Sequence, residues 1–247
     1  MTTGYLHSIE TMGLLDGPGI RTVFFLQGCP LRCQFCHNPD TQEFNERQPI
    51  EPEEVLRLAG RYRSYYGEDG GVTFSGGEPL AQPEFVYESL KLLKEEGYNT
   101  CVDTSGVARP AAVARLLPYV DRFLLDIKDF TDEGFKELTA QEMKHLYRFM
   151  DLLEACDYQG KLWLRHVMVP GRTDTQEYMD IFLKVIEPLR KWTERIEILP
   201  YHTMGVDKYA QLGRSYPLEG VPAMDKDKAK ELEAYVRQQF FGEEAVA

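Results

Sequence analysis

The sequence predicts a single α/β domain of parallel strands wrapped by outer helices, a partial (β/α)6 barrel. Three observations predict it. Short apolar runs alternate with longer amphipathic segments along the chain, which is the mark of βα units. Several of those runs are almost continuously apolar, as strands buried on both faces are. The chain has 247 residues at 43% hydrophobic composition, enough to bury one large core. No low-complexity tract or linker interrupts it. One domain over 1–247 is therefore expected, with its core at about 16–202 and a helical extension at about 203–247. A doubly wound open sheet is the alternative, because sequence does not state strand order.

The elements follow in order. "IRTVFFLQG" (20–28) reads as the first strand, rich in β-branched and aromatic residues. A helical pattern at 52–66 leads to the strand "GVTFSG" (71–76). "QPEFVYESLKLLKEEG" follows as a helix over 83–97, with Pro83 in its opening turn and Gly97 to stop it. "NTCVDTSG" (99–106) is the third strand, then come a helix at 110–117 and the strand "RFLLDIK" (122–128). A long helical pattern at 132–155 precedes "KLWLRHVMVP" (161–170), and another at 174–192 precedes "RIEILPYH" (195–202). The last helix is expected at 225–241. Six strands instead of eight predict an open barrel, not a closed one.

Charge and composition remove some classes of function. Formal net charge is −12, and no basic run is interleaved with aromatics, so nucleic acid is not the expected ligand. No apolar run reaches the length of a membrane span. The opening "MTTGYLHSIE" lacks the basic-then-apolar pattern of a signal peptide. A soluble cytoplasmic protein is expected. Five cysteines are an odd number, and three are clustered, which argues against a secreted disulfide framework.

In parallel α/β architectures ligands gather where strands end at their carboxyl termini. Here the first strand runs into Gly28 and a cysteine loop. The second ends in Ser75-Gly76-Gly77-Glu78-Pro79, the third in Asp103-Thr104-Ser105-Gly106 and the fourth in Asp126-Ile127-Lys128. The fifth carries Arg165, and the sixth ends in Pro200-Tyr201-His202. Any one such end is ordinary turn and cap chemistry. Asp126 and Lys128 inside an apolar strand, together with the cysteines, shift the balance towards a site.

Cys29, Cys33 and Cys36 are spaced to converge from one loop, and four readings compete. A disulfide is disfavoured by compartment, and three accidental core cysteines at this density are improbable. Zinc would need His37 or a distant histidine as fourth ligand. Zinc sites usually pair two knuckles, however, and His37 beside Cys36 would strain to reach the same ion. Cys101 and Cys156 fall in a predicted strand and helix and read as buried apolar residues. An iron–sulfur cluster normally takes four thiolates, so three leave one iron open to a substrate.

The motif C-x3-C-x2-C resembles that of the radical S-adenosylmethionine enzymes, whose fold is a partial βα barrel. The resemblance implies a 4Fe-4S cluster held by Cys29, Cys33 and Cys36, which cleaves S-adenosylmethionine to methionine and a hydrogen-abstracting 5′-deoxyadenosyl radical. It further implies that Gly76 and Gly77 let the backbone approach the cofactor's amino group, with Glu78 accepting from it. Phe35 and His37 flank the third cysteine, where the family contacts adenine. Asp103, Asp126, Ile127 and Lys128 correspond to residues around the methionine and ribose portions, and His202 is placed to reach ribose or adenine. Asp103, Thr104 and Asp126 are alternatively a monovalent-cation set. A salt bridge inside the barrel explains Arg165 equally well.

"HSIETMGLLDGPGIRTVFFLQGCPLRCQFCHNPD" is similar to the opening of the glycyl-radical-enzyme activating enzymes. "DGPGIR" reads locally as a tight turn. The resemblance places it where the target's glycine loop enters, with Asp16 and Arg21 against the peptide. No cysteine lies between Cys36 and Cys101, so no second cluster module is present. This compact form, with "LWLRHVMVPG" and "LPYHTMGVDKY", resembles the branch that acts on pyruvate formate-lyase. Implied partners are that enzyme and a flavodoxin or ferredoxin as electron donor, with this chain a monomer. Two rivals stay open: an activator of a diol dehydratase or anaerobic ribonucleotide reductase, and a zinc-binding adaptor.

Overall fold

A computed structural model describes residues 2–242. Residues 1 and 243–247 of the expected domain, including the end of its extension, lie outside the described residues. The elements are β1 (Gly4–Gly13), β2 (Arg21–Leu26), β3 (Pro49–Ile50), α1 (Pro52–Tyr62), β4 (Gly71–Gly76), α2 (Pro83–Glu95), β5 (Asn99–Thr104) and α3 (Pro110–Leu116). They continue with β6 (Arg122–Asp126), α4 (Asp132–Thr139), α5 (Lys144–Ala155), β7 (Lys161–Met168), α6 (Gln176–Ile186), β8 (Thr193–Pro200), α7 (Val206–Gln211) and α8 (Lys226–Phe241).

The strand order is β3-β1-β2-β4-β5-β6-β7-β8. The six expected strands are β2 and β4 to β8, and they follow one another in chain order without a reversal. That is the winding of a barrel segment; a doubly wound sheet reverses its order. The sheet is mostly parallel. Its exceptions, β1 and β3, pair antiparallel and went unforeseen in the sequence. The chain divides into two compact units, one of 2–30, Thr41–Leu125 and His145–Lys161, the other of Leu31–Asp40, Asp126–Lys144 and 162–242.

In the first unit, Arg21 to Leu26 pair in register with Gly71 to Gly76, and the core gathers Val23, Phe24, Val72, Phe74 and Val102, all fully buried. Phe24 and Phe74 stack at 5.8 Å, and Phe85 of α2 meets Phe74 edge-on at 6.1 Å. Helix α2 begins at Pro83, buries Phe85, Val86, Leu90 and Leu93 on one face, and ends before Gly97 at φ 74°. That glycine has the positive φ a helix stop favours.

In the second unit, β7 and β8 pair parallel. The helix expected over 132–155 is two helices. Thr131 caps α4 through the Gly134 amide, and Ala140 ends it in the left-handed region at φ 58°. Glycine is the usual residue there, which is why the stop was not visible in the sequence. The break matters for the site, as shown below. No helix among the described residues is long and apolar enough to cross a membrane.

Candidate functional site

The cysteine loop is fastened through its backbone. In the first unit, the Gly28 amide donates to the Thr41 carbonyl (2.8 Å) and that of Cys29 to Gln42 (3.3 Å). Gly28 has φ 95°, and a Cβ there would sit 2.4 Å from the Phe44 ring, so the turn requires glycine. In the second unit, the amides of Arg32 and Gln34 donate to the carbonyls of Thr139 (2.8 Å) and Leu138 (2.9 Å). Those are C-terminal carbonyls of α4, which a helix end leaves without intrahelical partners. The stop at Ala140 thus converts a helix end into a bed for the segment carrying the thiols.

All three clustered cysteines are half-buried. Enclosure of its sulfur pushes the Cys33 thiol up to about 12; Lys128 pulls the other way, and Cys36 and Asp126 add to the rise. Among the described residues no three His, Cys, Asp or Glu side chains close on a single ion position. A cluster does not ask for that, since each thiolate binds a different iron. Three thiols on one backbone-anchored loop are a donor set of the right chemistry for it. Cys101 is buried as expected, whereas Cys156 is exposed. That corrects the sequence reading: α5 ends at Ala155, and Cys156 falls beyond its packed face.

Asp126 stands between two cations. Lys128 Nζ donates to its Oδ2 at 2.5 Å, and Arg165 Nε to its Oδ1 at 2.9 Å. Burial raises the Asp126 pKa, but Arg165 and then Lys128 outweigh it and hold the carboxyl at about 2. The internal salt bridge considered for Arg165 is what the structure shows. Lys128 also lies 5.6 Å from the centre of the Phe35 ring, and Phe35 is buried. Ile127 is buried too, with its amide on the Arg165 carbonyl (2.8 Å). Its own carbonyl accepts from His166 Nδ1 (2.8 Å).

Glu78 of the "SGGEP" turn is held differently from its expected role. Glu78 is 2% exposed, and four donors converge on its two oxygens. Oε1 takes Thr104 Oγ1 (2.6 Å) and the Leu80 amide (3.1 Å). Oε2 takes the amide (2.9 Å) and hydroxyl (2.6 Å) of Ser105. A carboxylate has about four acceptor positions, so an ammonium finds them filled. Burial raises the Glu78 pKa while the Ser105 and Thr104 donors oppose it. Gly76 and Gly77 serve close packing of backbone: a Cβ would meet Leu26 N at 2.4 Å and Gly28 O at 2.3 Å respectively. Asp103 accepts from Ser75 Oγ at 2.7 Å. Thr104, the next residue of β5, points to the opposite face, as successive strand residues do. Its hydroxyl donates to Glu78 and accepts from the Gly106 amide at 3.0 Å.

His37 and His202 come together in the second unit. Their rings stack at 3.8 Å and 18°, and His37 Nε2 lies 3.2 Å from the His202 carbonyl. Burial, and then His202, lower the His37 pKa to about 4; burial and Lys226 lower that of His202. Residues the sequence did not single out fix this arrangement. Lys208 Nζ of α7 donates to Asn38 Oδ1 (2.8 Å) and reaches Asp40 at 3.4 Å. Gly205 packs so close to His37 that a Cβ would lie 2.8 Å from its Cα. The signal was present in "GVDKY", but a six-residue helix is too short to show a period.

Asp16 and Arg21 belong to the first unit, and Arg21 sits apart from its expected role. Arg21 is fully buried. Its guanidinium donates to Thr73 Oγ1 (2.7 Å), Pro18 O (3.0 Å), Asp69 O (3.2 Å) and Val72 O (2.9 Å). It also reaches O and Oδ1 of Asn99 (3.2 and 3.0 Å). Thr73 Oγ1 in turn donates to the Asp16 carbonyl at 2.7 Å. Arg21 therefore anchors the "DGPG" turn from within and offers no surface to a peptide.

The model of the radical SAM superfamily matches residues 23–183. Among known proteins, the chain is 45% identical to the pyruvate formate-lyase-activating enzyme of Clostridium pasteurianum, over 96% of this chain and 99% of that one. It is 41% identical to the protein of that name from Staphylococcus epidermidis, over 96% of each. A solved domain of a pyruvate-formate lyase-activating enzyme from Bacteroides vulgatus superposes with TM-score 0.53 at 22% identity, covering 70% of this chain and 95% of that one. Streptococcus suis SuiB bound to its precursor peptide superposes with TM-score 0.65 at 17% identity, over 91% and 46%. The structural likenesses concern the fold alone. With its three-cysteine loop at the end of the first parallel strand, the chain belongs to the radical SAM superfamily and, within it, to the family of pyruvate formate-lyase-activating enzymes.

Proposed function

We propose that this protein activates pyruvate formate-lyase by generating a radical on one of its glycines. The observation that carries the reading is the C-x3-C-x2-C loop, bedded on the end of α4, in a chain whose relatives hold that name along nearly all its length. The cofactors are a 4Fe-4S cluster and S-adenosylmethionine; when bound, they supply the electron and the 5′-deoxyadenosyl group that removes the glycine α-hydrogen. Cys29, Cys33 and Cys36 hold the cluster, with one iron left without a protein ligand. Asp126, already ionised between Lys128 and Arg165, fixes the Lys128 ammonium for the cofactor carboxylate or ribose. The stacked His37 and His202 rings offer a flat, neutral face to adenine. Asp103 is a further polar group for the cofactor.

Beside the "DGPG" turn, Leu14 and Leu15 are 69% and 83% exposed. Such apolar surface suits a protein substrate. The donor is a flavodoxin or ferredoxin, the enzyme is a cytoplasmic monomer, and the catalytic core spans about 16–202. The test is anaerobic reconstitution followed by mixing with pyruvate formate-lyase, reductant and S-adenosylmethionine. A glycyl radical signal on the partner is expected, and its loss when Cys29, Cys33 and Cys36 are replaced together. Full activity in that triple variant, or a radical formed only on a diol dehydratase or ribonucleotide reductase, overturns the assignment.

A further inference from the structure

We propose that the Tyr209 hydroxyl donates a hydrogen bond to the sulfur of Cys36, or to a cluster sulfide beside it, and thereby sets how readily the cluster accepts an electron. The proposal rests on the reading of the cysteine loop given above. Tyr209 is 4% exposed, and its hydroxyl is a buried polar atom with no hydrogen-bond partner. Buried hydroxyls are nearly always partnered. Among the described residues the other exception is Ser89 Oγ, on α2.

The surroundings of Tyr209 narrow the choice of partner. Its ring meets that of Tyr216 edge-on at 5.0 Å, and the Tyr216 hydroxyl is already paired with that of Tyr201 at 2.8 Å. Helix α7, which carries Tyr209, is strapped to the residues just after Cys36. Lys208 holds Asn38 and Asp40, Gly205 abuts His37, and Arg214 reaches the Pro39 carbonyl at 3.5 Å. This fixes the helix that carries the tyrosine against the end of the cysteine loop. A tyrosine hydroxyl is protonated at neutral pH, so it carries the proton that a donor needs.

A neutral thiol is a weak acceptor, whereas a metal-bound thiolate or sulfide carries charge and accepts well. An unpartnered hydroxyl on the helix strapped to the loop thus gains an acceptor when the cluster is bound. Reduction makes the sulfurs more negative, so a donor there favours the reduced state. Hydrogen bonds to sulfur are among the levers that set such potentials.

Tyr209→Phe removes the oxygen and keeps the packing of the ring. In the reconstituted protein, iron and sulfide per chain should be unchanged. The ratio of reduced to oxidised cluster at a fixed potential, read by electron paramagnetic resonance, should fall about tenfold, or about 59 mV for one electron. In the unsubstituted protein, pulsed resonance in light and heavy water should show an exchangeable proton coupled to the cluster, lost in Tyr209→Phe. An unmoved potential with full iron loading overturns the proposal. Should the variant load poorly, the unsubstituted protein decides: absence of the exchangeable coupling is equally fatal. An unsubstituted chain that binds no cluster fails the loop reading and this proposal together. Normal radical formation with an unmoved potential in Tyr209→Phe fails the proposal alone.

Discussion

Replacing Arg21 separates a structural anchor from a peptide contact. Its guanidinium has five N–H donors and six acceptors within 3.2 Å, so at least one bond is shared. In Arg21→Met, Thr73 Oγ1 and Val72 O are the acceptors stranded in fully buried surroundings. A buried group without its partner costs about 1–3 kcal/mol. The other four contacts are part-buried, where water can replace the donor. Two stranded acceptors give about 2–6 kcal/mol, partly offset because the guanidinium is no longer held away from water; burial lowers the Arg21 pKa for that reason. A loss of about 3 kcal/mol is expected, or about 6–12 °C in melting midpoint for a chain of this size. Arg21→Lys, with three donors on a flexible stem, should recover part of it. The assay is urea unfolding beside the KM for the protein partner. An unchanged unfolding midpoint with a raised KM would refute the anchor and restore Arg21 to the peptide surface.

Three further outcomes follow from the same geometry. Asp126→Asn leaves Lys128 and Arg165 facing each other without a full counter-charge, and should cost about 3 kcal/mol near neutral pH. The Asp126 pKa is held at about 2, below its ordinary 3.8. The carboxylate's contribution is therefore present above 3.8 and lost as pH falls through 2, so parent and variant should converge in acid urea titrations. His166 is buried with Nδ1 donating to Ile127 O and Thr173 Oγ1 at its Nε2, and burial lowers its pKa to about 4. Its folded pKa lies below the unfolded value near 6.5, so its neutral form supports the fold fully above 6.5 and progressively less towards 4. Between about pH 7.5 and 4.5 the loss is about 2.5 kcal/mol, and His166→Gln should flatten that slope in unfolding measured on the metal-free protein. Gly77→Ala drives a Cβ to 2.3 Å from Gly28 O; about 1–3 kcal/mol of overpacking and lower iron per chain are expected, because the displaced carbonyl adjoins Cys29.

The strand at 71–76 and the helix opening at Pro83 were legible because glycine and proline punctuate them and an unbroken apolar run fills the strand. Strand β1 was not, because its middle residues are exposed and show no apolar run and it is held by pairing with β2. Pairing with a distant segment leaves little local trace. The stop at Ala140 was hidden for a related reason. Its left-handed backbone is sustained in a structure where the α4 carbonyls bond the amides of Arg32 and Gln34, over a hundred residues earlier.

By itself the sequence determined the winding into βα units, the three thiols on one loop and the family to which they point. Each of these depends on local periodicity or on spacing along a few bonded residues. The fold alone decided which polar groups remain available for chemistry. Glu78 is enclosed by four donors and Arg21 by six acceptors, His37 is laid flat on His202, and Tyr209 is left without a partner. Those outcomes are set by which distant segments pack together, and a buried side chain's hydrogen bonds belong to its neighbours in space as much as to its own identity.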